Sequence, residues 1–332
     1  MSVYIIAEAG VNHNGCLDLA FRLCDKAKEA GANAVKFQTW KTERIVTKSA
    51  ALAAYQAQNI RLINASQFEM LKKLELSYEQ FAKIQSYCND IGIDFLSTPD
   101  EEESLAFLMS LNLPVIKVGS GEVTNIPYLR KIGSYKKPVI LSTGMSYISD
   151  VDIALRTLQG AGAENVTLLH CTTNYPCPMG EVNLCAMQTL KFTFKCNVGY
   201  SDHTEGIEVP IAAVAMGAKI IEKHFTLDKA MEGPDHKASL NPAELKIMVN
   251  AIRNVEKALG DGIKRPNFSE KKNSSVVLKR IVAKSTISIG DTFSDENLTV
   301  KRTDMGVSAK EWDMVIGRKA YKNYSIDEPI VL

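Results

Sequence analysis

Short runs of apolar, β-branched residues alternate along residues 3–260 with longer segments whose apolar residues recur at helical spacing. This repeated order is typical of parallel βα units. The predicted strands are Tyr4–Glu8, Ala34–Phe37, Asp94–Ser97, Val115–Val118, Val139–Ser142, Val166–His170, Asn197–Tyr200 and Lys219–Lys223. The predicted helices are Leu17–Ala30, Tyr78–Ile91, Asp100–Leu111, Ile126–Ser134, Asp150–Ala161, Glu205–Met216 and Pro242–Leu259.

The number of predicted strands favours one architecture. Eight strands, with no GxGxxG after the first, indicate a closed (β/α)8 TIM barrel rather than an open doubly wound sheet. A polar insertion at Lys41–Leu76 is expected to fold over one end of the barrel. A run rich in Gly, Pro, Lys and Ser predicts a linker at 263–276, between a barrel domain at 1–262 and a small β-rich domain at 277–332.

Composition narrows the functional classes. The 332 residues are 45% hydrophobic and carry a formal net charge of +1, so no long-range field would recruit nucleic acid or an anionic membrane. No apolar window is long enough to span a bilayer, and the first residues form a predicted strand rather than a signal peptide. The seven cysteines form no CxxC pair and no disulfide framework. These features predict a cytoplasmic enzyme.

Polar residues follow every predicted strand, where a (β/α)8 barrel carries its functional groups. The candidates are Glu8, Lys36, Gln38, Thr98, Lys117, Ser120, Glu122, Ser142, Thr173, Tyr175, Ser201, His203, His224 and Asp235. Lys36 and Lys117 each end an apolar run, and burying an unpaired ammonium group is costly. The two lysines, with the hydroxyl groups around them, therefore predict a small ligand that carries phosphate and carboxylate groups.

Two histidines occupy corresponding places on consecutive strands. His203 follows the seventh predicted strand and His224 follows the eighth, so the pair predicts a divalent metal site with open positions. His13 and His170 are interpreted as structural or supporting residues, and His236 as a support for the loop that contains Asp235. Cys171 and Cys177 are interpreted as packing thiols.

Nine ordered motifs resemble the sialic acid synthase family: EAGVNHNG, VKFQT, FLSTP, IKVGSGE, ILSTGM, LLHCTTNYP, GYSDHT, EKHFTLD and GPD. The likeness runs from the first strand to the C-terminus, where the small domain resembles that family's antifreeze-like domain, of the SAF or β-clip type. The resemblance implies condensation of phosphoenolpyruvate with N-acetylmannosamine, an N-acyl mannosamine-type sugar in its open-chain aldehyde form. The products would be N-acetylneuraminate, a nine-carbon 2-keto acid, and phosphate.

The resemblance also implies roles for individual residues. Phosphoenolpyruvate would be held by Lys36, Thr98, Lys117, Ser120, Ser142, Thr173 and Ser201. His203 and His224 would bind the divalent ion, with Mn²⁺ expected and Mg²⁺ or Co²⁺ as alternatives. Glu8 would act as a general acid or base near the sugar, and Glu122 would guide a proton or the attacking water. Gln38, Tyr175 and Asp235 would contact the sugar.

The resemblance further implies a domain-swapped homodimer, in which the C-terminal domain supplies an arginine to the partner's active site. The matching residue is Arg302 in TVKRTDMG, although relatives often have KRP where this chain has Thr303 and Asp304 after the arginine.

Several alternatives stay open from the sequence. The same chemistry could act on 2,4-diacetamido-2,4,6-trideoxymannose, as in N,N'-diacetyllegionaminic acid synthases, on a phosphorylated N-acetylmannosamine, or on a pseudaminic acid precursor. A different class would be a barrel aldolase or metal hydrolase, since two histidines fit either. A non-enzymatic role, with the C-terminal domain binding ice or carbohydrate, would leave the ring of polar residues unexplained.

Overall fold

The computed structural model describes residues 2–52 and 66–332, and the chain divides after Gly260 into two units. The first unit contains eight parallel strands. They are β1 (Tyr4–Gly10), β2 (Ala34–Thr39), β3 (Asp94–Pro99), β4 (Ile116–Val118), β5 (Val139–Ser142), β6 (Val166–His170), β7 (Val198–Asp202) and β8 (Ile220–His224). All eight overlap the predicted strands, with ends that differ by no more than two residues.

The strand order identifies the architecture. It runs β3-β2-β1-β8-β7-β6-β5-β4, so the first and last strands are hydrogen-bonded neighbours in the middle of the sheet. Where β1 pairs with β8, Tyr4 lies opposite Ile220 and Glu8 lies opposite His224. On its other side β1 pairs with β2. This arrangement confirms the TIM-barrel prediction, with β3 and β4 as the two ends of the ladder.

The described part of the first unit also contains helices between and after the strands. They are Leu17–Ala30, Thr42–Ile45, Gln67–Leu74, Tyr78–Ile91, Glu102–Ser110, Ile126–Ser134, Ile148–Ala161, Cys185–Phe194, Glu208–Ala215 and Pro242–Leu259. Local sequence sets several of their ends. Ser77 and Gln80 form a capping box at the start of Tyr78–Ile91, and Gly92 ends that helix with a left-handed φ of 72°.

The insertion after β2 is described at its two ends, since residues 53–65 lie outside the described residues. Met70 and Leu74, from the helix Gln67–Leu74, form a small apolar cluster with Val11 and Trp40. Val11 and Trp40 directly follow β1 and β2, so these described parts of the insertion pack at the carboxyl end of the barrel.

The second unit has its own small core. Its strands β9 (Lys279–Ala283) and β10 (Leu298–Arg302) are antiparallel, and isolated bridges join further segments. The core residues are Ile281, Ala283, Ile287, Phe293, Leu298, Val315, Ala320, Tyr324 and Ile330. Two helices complete the unit, Phe268–Val277 and Trp312–Val315, and the first of them lies in the segment predicted as a linker.

The helices and the cysteines show two further features. Within the described ranges, none of the helices combines the length and apolar character needed to cross a membrane. All seven cysteines are free thiols, as the sequence predicted.

Candidate active site

A cavity of about 200 Å³ opens at the carboxyl ends of the strands. Twelve of the predicted site residues line it: Glu8, Lys36, Gln38, Thr98, Lys117, Ser120, Ser142, Thr173, Tyr175, Ser201, His203 and His224. Each of the eight strands, or the loop after it, contributes at least one of them. The barrel therefore gathers side chains that are spread from residue 8 to residue 224.

The alternation of side chains along each strand explains why these residues meet. Inside the barrel, the layer of side chains below the cavity is apolar. It contains Ile6, Ala34, Leu96, Val115, Ile140, Leu169 and Ile220. Two residues further along, on the same face of each strand, are Glu8, Lys36, Thr98, Lys117, Ser142, Cys171 and Glu222. An apolar layer thus lies beneath a polar layer, and the polar layer forms the floor of the cavity.

Two lysines and two glutamates form a buried charge cluster at the floor of the cavity. Lys36 Nζ lies 2.8 Å from Glu8 Oε2 and 3.8 Å from Glu222 Oε2. Lys117 Nζ lies 3.7 Å from the other carboxylate oxygen of Glu222. All four side chains are buried, so water screens these charges weakly.

Burial and the neighbouring charges shift the pKa values of these four groups in different directions. Burial lowers the pKa of Lys117 because Glu222 offsets the loss of hydration only in part. Burial also opposes the charge of Lys36, but Glu222 and Glu8 outweigh it and raise its pKa. Burial raises the pKa of Glu8, whereas the two lysines overcome the effect of burial on Glu222 and lower its pKa. The two lysines therefore face one carboxylate, Glu222, whose ionised form is favoured and one, Glu8, whose ionised form burial opposes, and an anionic ligand would complete the pairing of the lysines.

Hydroxyl groups hold the lysine side chains in place. Lys36 Nζ donates to Thr98 Oγ1 over 3.0 Å, and Lys117 Nζ donates to Ser142 Oγ over 2.7 Å. Neither hydroxyl neutralises charge, so within the cluster only Glu8 and Glu222 offset the charge of the two ammonium groups.

A second group of hydroxyls lines the cavity near Gly144. The Gly144 amide donates to Ser120 Oγ over 3.0 Å, and Cys171 Sγ lies 3.2 Å from the same oxygen. Thr173 Oγ1 is buried and makes no hydrogen bond within the described residues. A buried hydroxyl without a partner is costly, and a ligand in the cavity would satisfy it.

The two histidines face each other across β7 and β8. Their ring centroids are 5.4 Å apart, and Tyr175 lies against the His203 ring with 4.0 Å between centroids. Burial lowers the pKa of His203 to about 4 and lowers the pKa of His224 well below its ordinary value. Both imidazoles are therefore neutral at pH 7.

The hydrogen bonding of His203 fixes its tautomer. Nδ1 lies 2.6 Å from the carbonyl oxygen of Thr172, which can only accept, so Nδ1 carries the proton and Nε2 keeps a lone pair. His224 Nδ1 has no hydrogen-bond partner within the described residues. Neutral imidazoles with free nitrogen atoms fit a divalent ion. Among the described residues, no group of three or more His, Cys, Asp or Glu is arranged to hold a metal ion, and His203 and His224 are the pair that the sequence predicted for that role.

Comparison with known proteins places the chain in a family. Residues 23–264 match the NeuB family, and residues 280–332 match the SAF domain. The chain belongs to the NeuB family. It is 50% identical to the N,N'-diacetyllegionaminic acid synthase of Campylobacter jejuni over 98% of both chains. It is 35% identical to the human N-acetylneuraminate-9-phosphate synthase, over 99% of this chain and 91% of that protein.

A solved structure shows the same fold. The sialic acid synthetase of Leptospira borgpetersenii, crystallised with citrate, superimposes with a TM-score of 0.72 at 34% identity. The match covers 82% of this chain and 90% of that one. The match to the SAF domain also confirms the expected class of the C-terminal domain.

Three predicted residues of this NeuB-family protein do not line the cavity. Asp235 lies just outside it, with Oδ2 3.7 Å from His224 Nδ1, and burial raises the pKa of Asp235 to about 7. Glu122 follows β4, where its Oε2 accepts from Asn125 Nδ2 over 2.6 Å, next to the cavity-lining Gly121. Arg302 ends β10 in the second unit and is exposed.

Sequence reasoning missed Glu222 and Asp100, which also line the cavity. Glu222 accepts from Ser201 Oγ over 3.0 Å and lies between the two lysines. A signal for it was present, because Glu222 precedes His224 by two residues and so shares the inward face of β8. Cys171, interpreted as a packing thiol, is buried and also lines the cavity.

Proposed function

We propose that this protein condenses phosphoenolpyruvate with the open-chain aldehyde of an N-acyl mannosamine-type sugar, giving a nine-carbon 2-keto acid and phosphate. The observation that carries the proposal is the pair of buried ammonium groups, Lys36 and Lys117, at the floor of a small cavity that also contains two neutral histidines. Membership of the NeuB family and the names of the relatives support the same reaction.

In this proposal phosphoenolpyruvate lies on the floor of the cavity. Its phosphate and carboxylate groups would pair with Lys36 and Lys117, and hydroxyls would complete their hydrogen bonds. The hydroxyls are those of Thr98, Ser120, Ser142, Thr173 and Ser201. Thr173 Oγ1, which has no partner among the described residues, would gain one. The anion would also offset the burial cost that lowers the pKa of Lys117.

His203 and His224 would hold a divalent ion, with Mn²⁺ expected. When bound there, such an ion acts as a Lewis acid towards a carbonyl oxygen, here that of the sugar aldehyde. The protein's own part is to keep both imidazoles neutral, through burial, and to orient His203 through the Thr172 carbonyl.

The sugar would lie above phosphoenolpyruvate, near Gln38, Tyr175 and Asp235. Glu8, whose pKa is raised by burial, could carry a proton near neutral pH and exchange it with the aldehyde oxygen. Glu122 would guide the attacking water. Arg302 would reach the active site of a partner subunit in a domain-swapped homodimer.

The chemistry joins carbon 3 of phosphoenolpyruvate to the aldehyde carbon, while a proton goes to the aldehyde oxygen. Water adds at carbon 2 and loses a proton, which gives a tetrahedral intermediate. The hydroxyl group of the intermediate then loses its proton as the bond between carbon 2 and the phosphate oxygen breaks, which releases phosphate and leaves the keto group. Lys36 and Lys117 stabilise the negative charge on the phosphate as it departs. We also propose that this reaction takes place in the cytoplasm, which the seven free thiols support.

The names of the relatives include both legionaminic acid and neuraminate-9-phosphate synthases, so the sugar needs an experiment. Purified protein with phosphoenolpyruvate and Mn²⁺ is offered three sugars in parallel: N-acetylmannosamine, its 6-phosphate and 2,4-diacetamido-2,4,6-trideoxymannose. Phosphate release that requires both phosphoenolpyruvate and one of these sugars supports the proposal. Turnover without phosphoenolpyruvate would instead indicate an aldolase or a hydrolase.

A further inference from the structure

The two ends of the loop after β8 lie side by side and are hydrogen-bonded to each other. Phe225 and Leu240 form a backbone bridge, with Thr226 N donating to Leu240 O over 2.8 Å and Leu240 N donating to His224 O over 2.9 Å. Residues 225–240 therefore form a closed loop whose base is fixed to β8. Asp235 lies within this loop and faces His224.

Asn12, in the loop after β1, is hydrogen-bonded to the base of this closed loop. The amide of Asn12 is buried and donates to Phe225 O over 2.8 Å and to Ser239 Oγ over 2.9 Å. Ser239 Oγ in turn donates to the carbonyl oxygen of Asp235 over 2.7 Å. One asparagine thus links the first strand to the backbone of Asp235 through a single serine.

Asn14 is hydrogen-bonded to the same loop at Glu232 and at His236, which lie before and after Asp235. Its Nδ2 donates to Glu232 O over 3.0 Å, which settles the orientation of the amide because a carbonyl can only accept. Asn14 Oδ1 is then the acceptor of a 3.1 Å bond from His236 Nε2. The neutral His236 ring accepts at Nδ1 from Thr226 Oγ1 over 2.7 Å.

These hydrogen bonds reach residues on both sides of Asp235 in the sequence. They fall on Glu232, His236 and Ser239, which lie three residues before it, one after it and four after it. The two asparagines themselves lie outside the cavity lining. Their contacts lead to the loop of Asp235, whereas the floor of the cavity is held by the lysine, glutamate and hydroxyl network.

We propose that Asn12 and Asn14 are positioning residues that hold the Asp235 carboxylate against the sugar. This rests on the proposed function and assigns a role to the VNHNG motif that follows β1. Loss of either amide would let the carboxylate shift while leaving the phosphoenolpyruvate groups in place. The expected signature is a weakened interaction with the sugar and an unchanged interaction with phosphoenolpyruvate.

The test measures both KM values and kcat for Asn14→Ala, alone and in an Asp235→Asn background. The KM for the sugar should rise about 10-fold in Asn14→Ala, because small displacements of a positioning group have effects of this order. The KM for phosphoenolpyruvate should stay within about twofold of wild type. In the Asp235→Asn background, Asn14→Ala should add almost nothing, because both changes act on one interaction.

Asn33→Ala is the matched control. Asn33 Oδ1 accepts from Ile5 N over 2.9 Å and from Arg253, so it also ties segments together, but at the amino end of β1. This control should leave both KM values unchanged. Equal rises in both KM values for Asn14→Ala, or additive effects with Asp235→Asn, would overturn the proposal and indicate a general structural role.

Hydrogen exchange provides a readout that does not depend on the reaction. Peptides that cover residues 228–239 should exchange faster in Asn14→Ala, and peptides from β4 and β5 should not. If the wild type releases no phosphate with any of the three sugars, the proposed function fails. In that case unchanged exchange in Asn14→Ala would separately show that the asparagine does not hold the loop. Because Asn14 is only partly buried, its alanine variant is expected to fold even if Asn12→Ala does not.

Discussion

Lys36 and Glu8 form an ion pair that is almost wholly buried, with 2.8 Å between Nζ and Oε2 and side-chain exposures of 2% and 1%. Glu8 ends the inward face of β1, and Lys36 is its register partner on β2. A buried pair of this kind gives little net stability, because desolvation opposes the attraction. Its position at the cavity floor, next to a second lysine, therefore points to ligand binding.

The first prediction concerns the anion site. Lys117→Met should lower kcat/KM for phosphoenolpyruvate by about 100-fold, because it removes one of the two cations that would face the ligand. Lys36 keeps Glu222 paired, so the variant should remain folded. Steady-state kinetics and thermal melting check both statements. Lys26→Met, on the exposed face of helix Leu17–Ala30, is the control, and equal kinetics for the two variants would contradict the assignment.

The second prediction concerns the histidine pair. His203→Ala and His224→Ala should each abolish metal-dependent turnover while keeping a cooperative thermal transition. Titration calorimetry with Mn²⁺ should show lost or much weaker binding, because each variant leaves a single imidazole. His170→Gln is a suitable control, since its ring contacts Val182 O and does not line the cavity. Full activity of His203→Ala in the presence of a chelator would rule out the metal assignment.

The third prediction concerns the ion pair between Lys223 and Asp202, on the outer side of β7 and β8. Lys223 Nζ lies 2.5 Å from Asp202 Oδ2, and neither side chain is exposed. Lys223→Met should destabilise the protein by about 3–5 kcal/mol, because it leaves the buried Asp202 carboxylate without its counter-ion and with hydrogen bonds from Thr204 alone. The double variant Asp202→Asn, Lys223→Met should recover part of this loss. Urea unfolding measures both, and a single variant as stable as wild type would contradict the prediction.

The fourth prediction concerns Arg302. If a swapped dimer forms, Arg302→Ala and Lys117→Ala should each be inactive, yet subunits that are mixed and allowed to exchange should regain activity. Half of the randomly formed dimers would be mixed, each with one intact site of two, so activity should approach about a quarter of wild type. Native mass spectrometry verifies the exchange. No recovery in a sample with verified exchange would show that Arg302 acts within its own subunit or not at all.

Much of the barrel could be predicted from the sequence because its signals are local. The helices Leu17–Ala30, Tyr78–Ile91, Ile126–Ser134 and Pro242–Leu259 have the predicted bounds, since capping residues or glycines mark their ends. The helix Cys185–Phe194 was missed because only Met187 and Leu190 are buried, which leaves a weak apolar pattern.

The helix Phe268–Val277 was missed for a related reason. It has no buried residue, so it shows no apolar face along the sequence. Its local signal is the capping box that Asn267 forms with Glu270, which lies inside a run otherwise typical of a linker. A capping signal alone was too weak to predict a helix there.

The site was predictable where residues end strands, and less so elsewhere. Glu222 lies one layer below His224 and needed the alternation of β8 to be followed inward. The hydrogen bond between Asn14 and His236 joins residues that are 222 positions apart in the sequence. It depends on the path of the loop after β8. Such long-range contacts leave no periodic signal in the sequence.

The central claim is that phosphate leaves by cleavage of the carbon–oxygen bond after a carbon–carbon bond forms. Phosphoenolpyruvate labelled with oxygen-18 at the bridging position tests this directly, with Mn²⁺ and the best of the three sugars. Mass spectrometry should find the label in the released phosphate and a nine-carbon keto acid without it. Unlabelled phosphate, with the label retained in the organic product, would contradict the account.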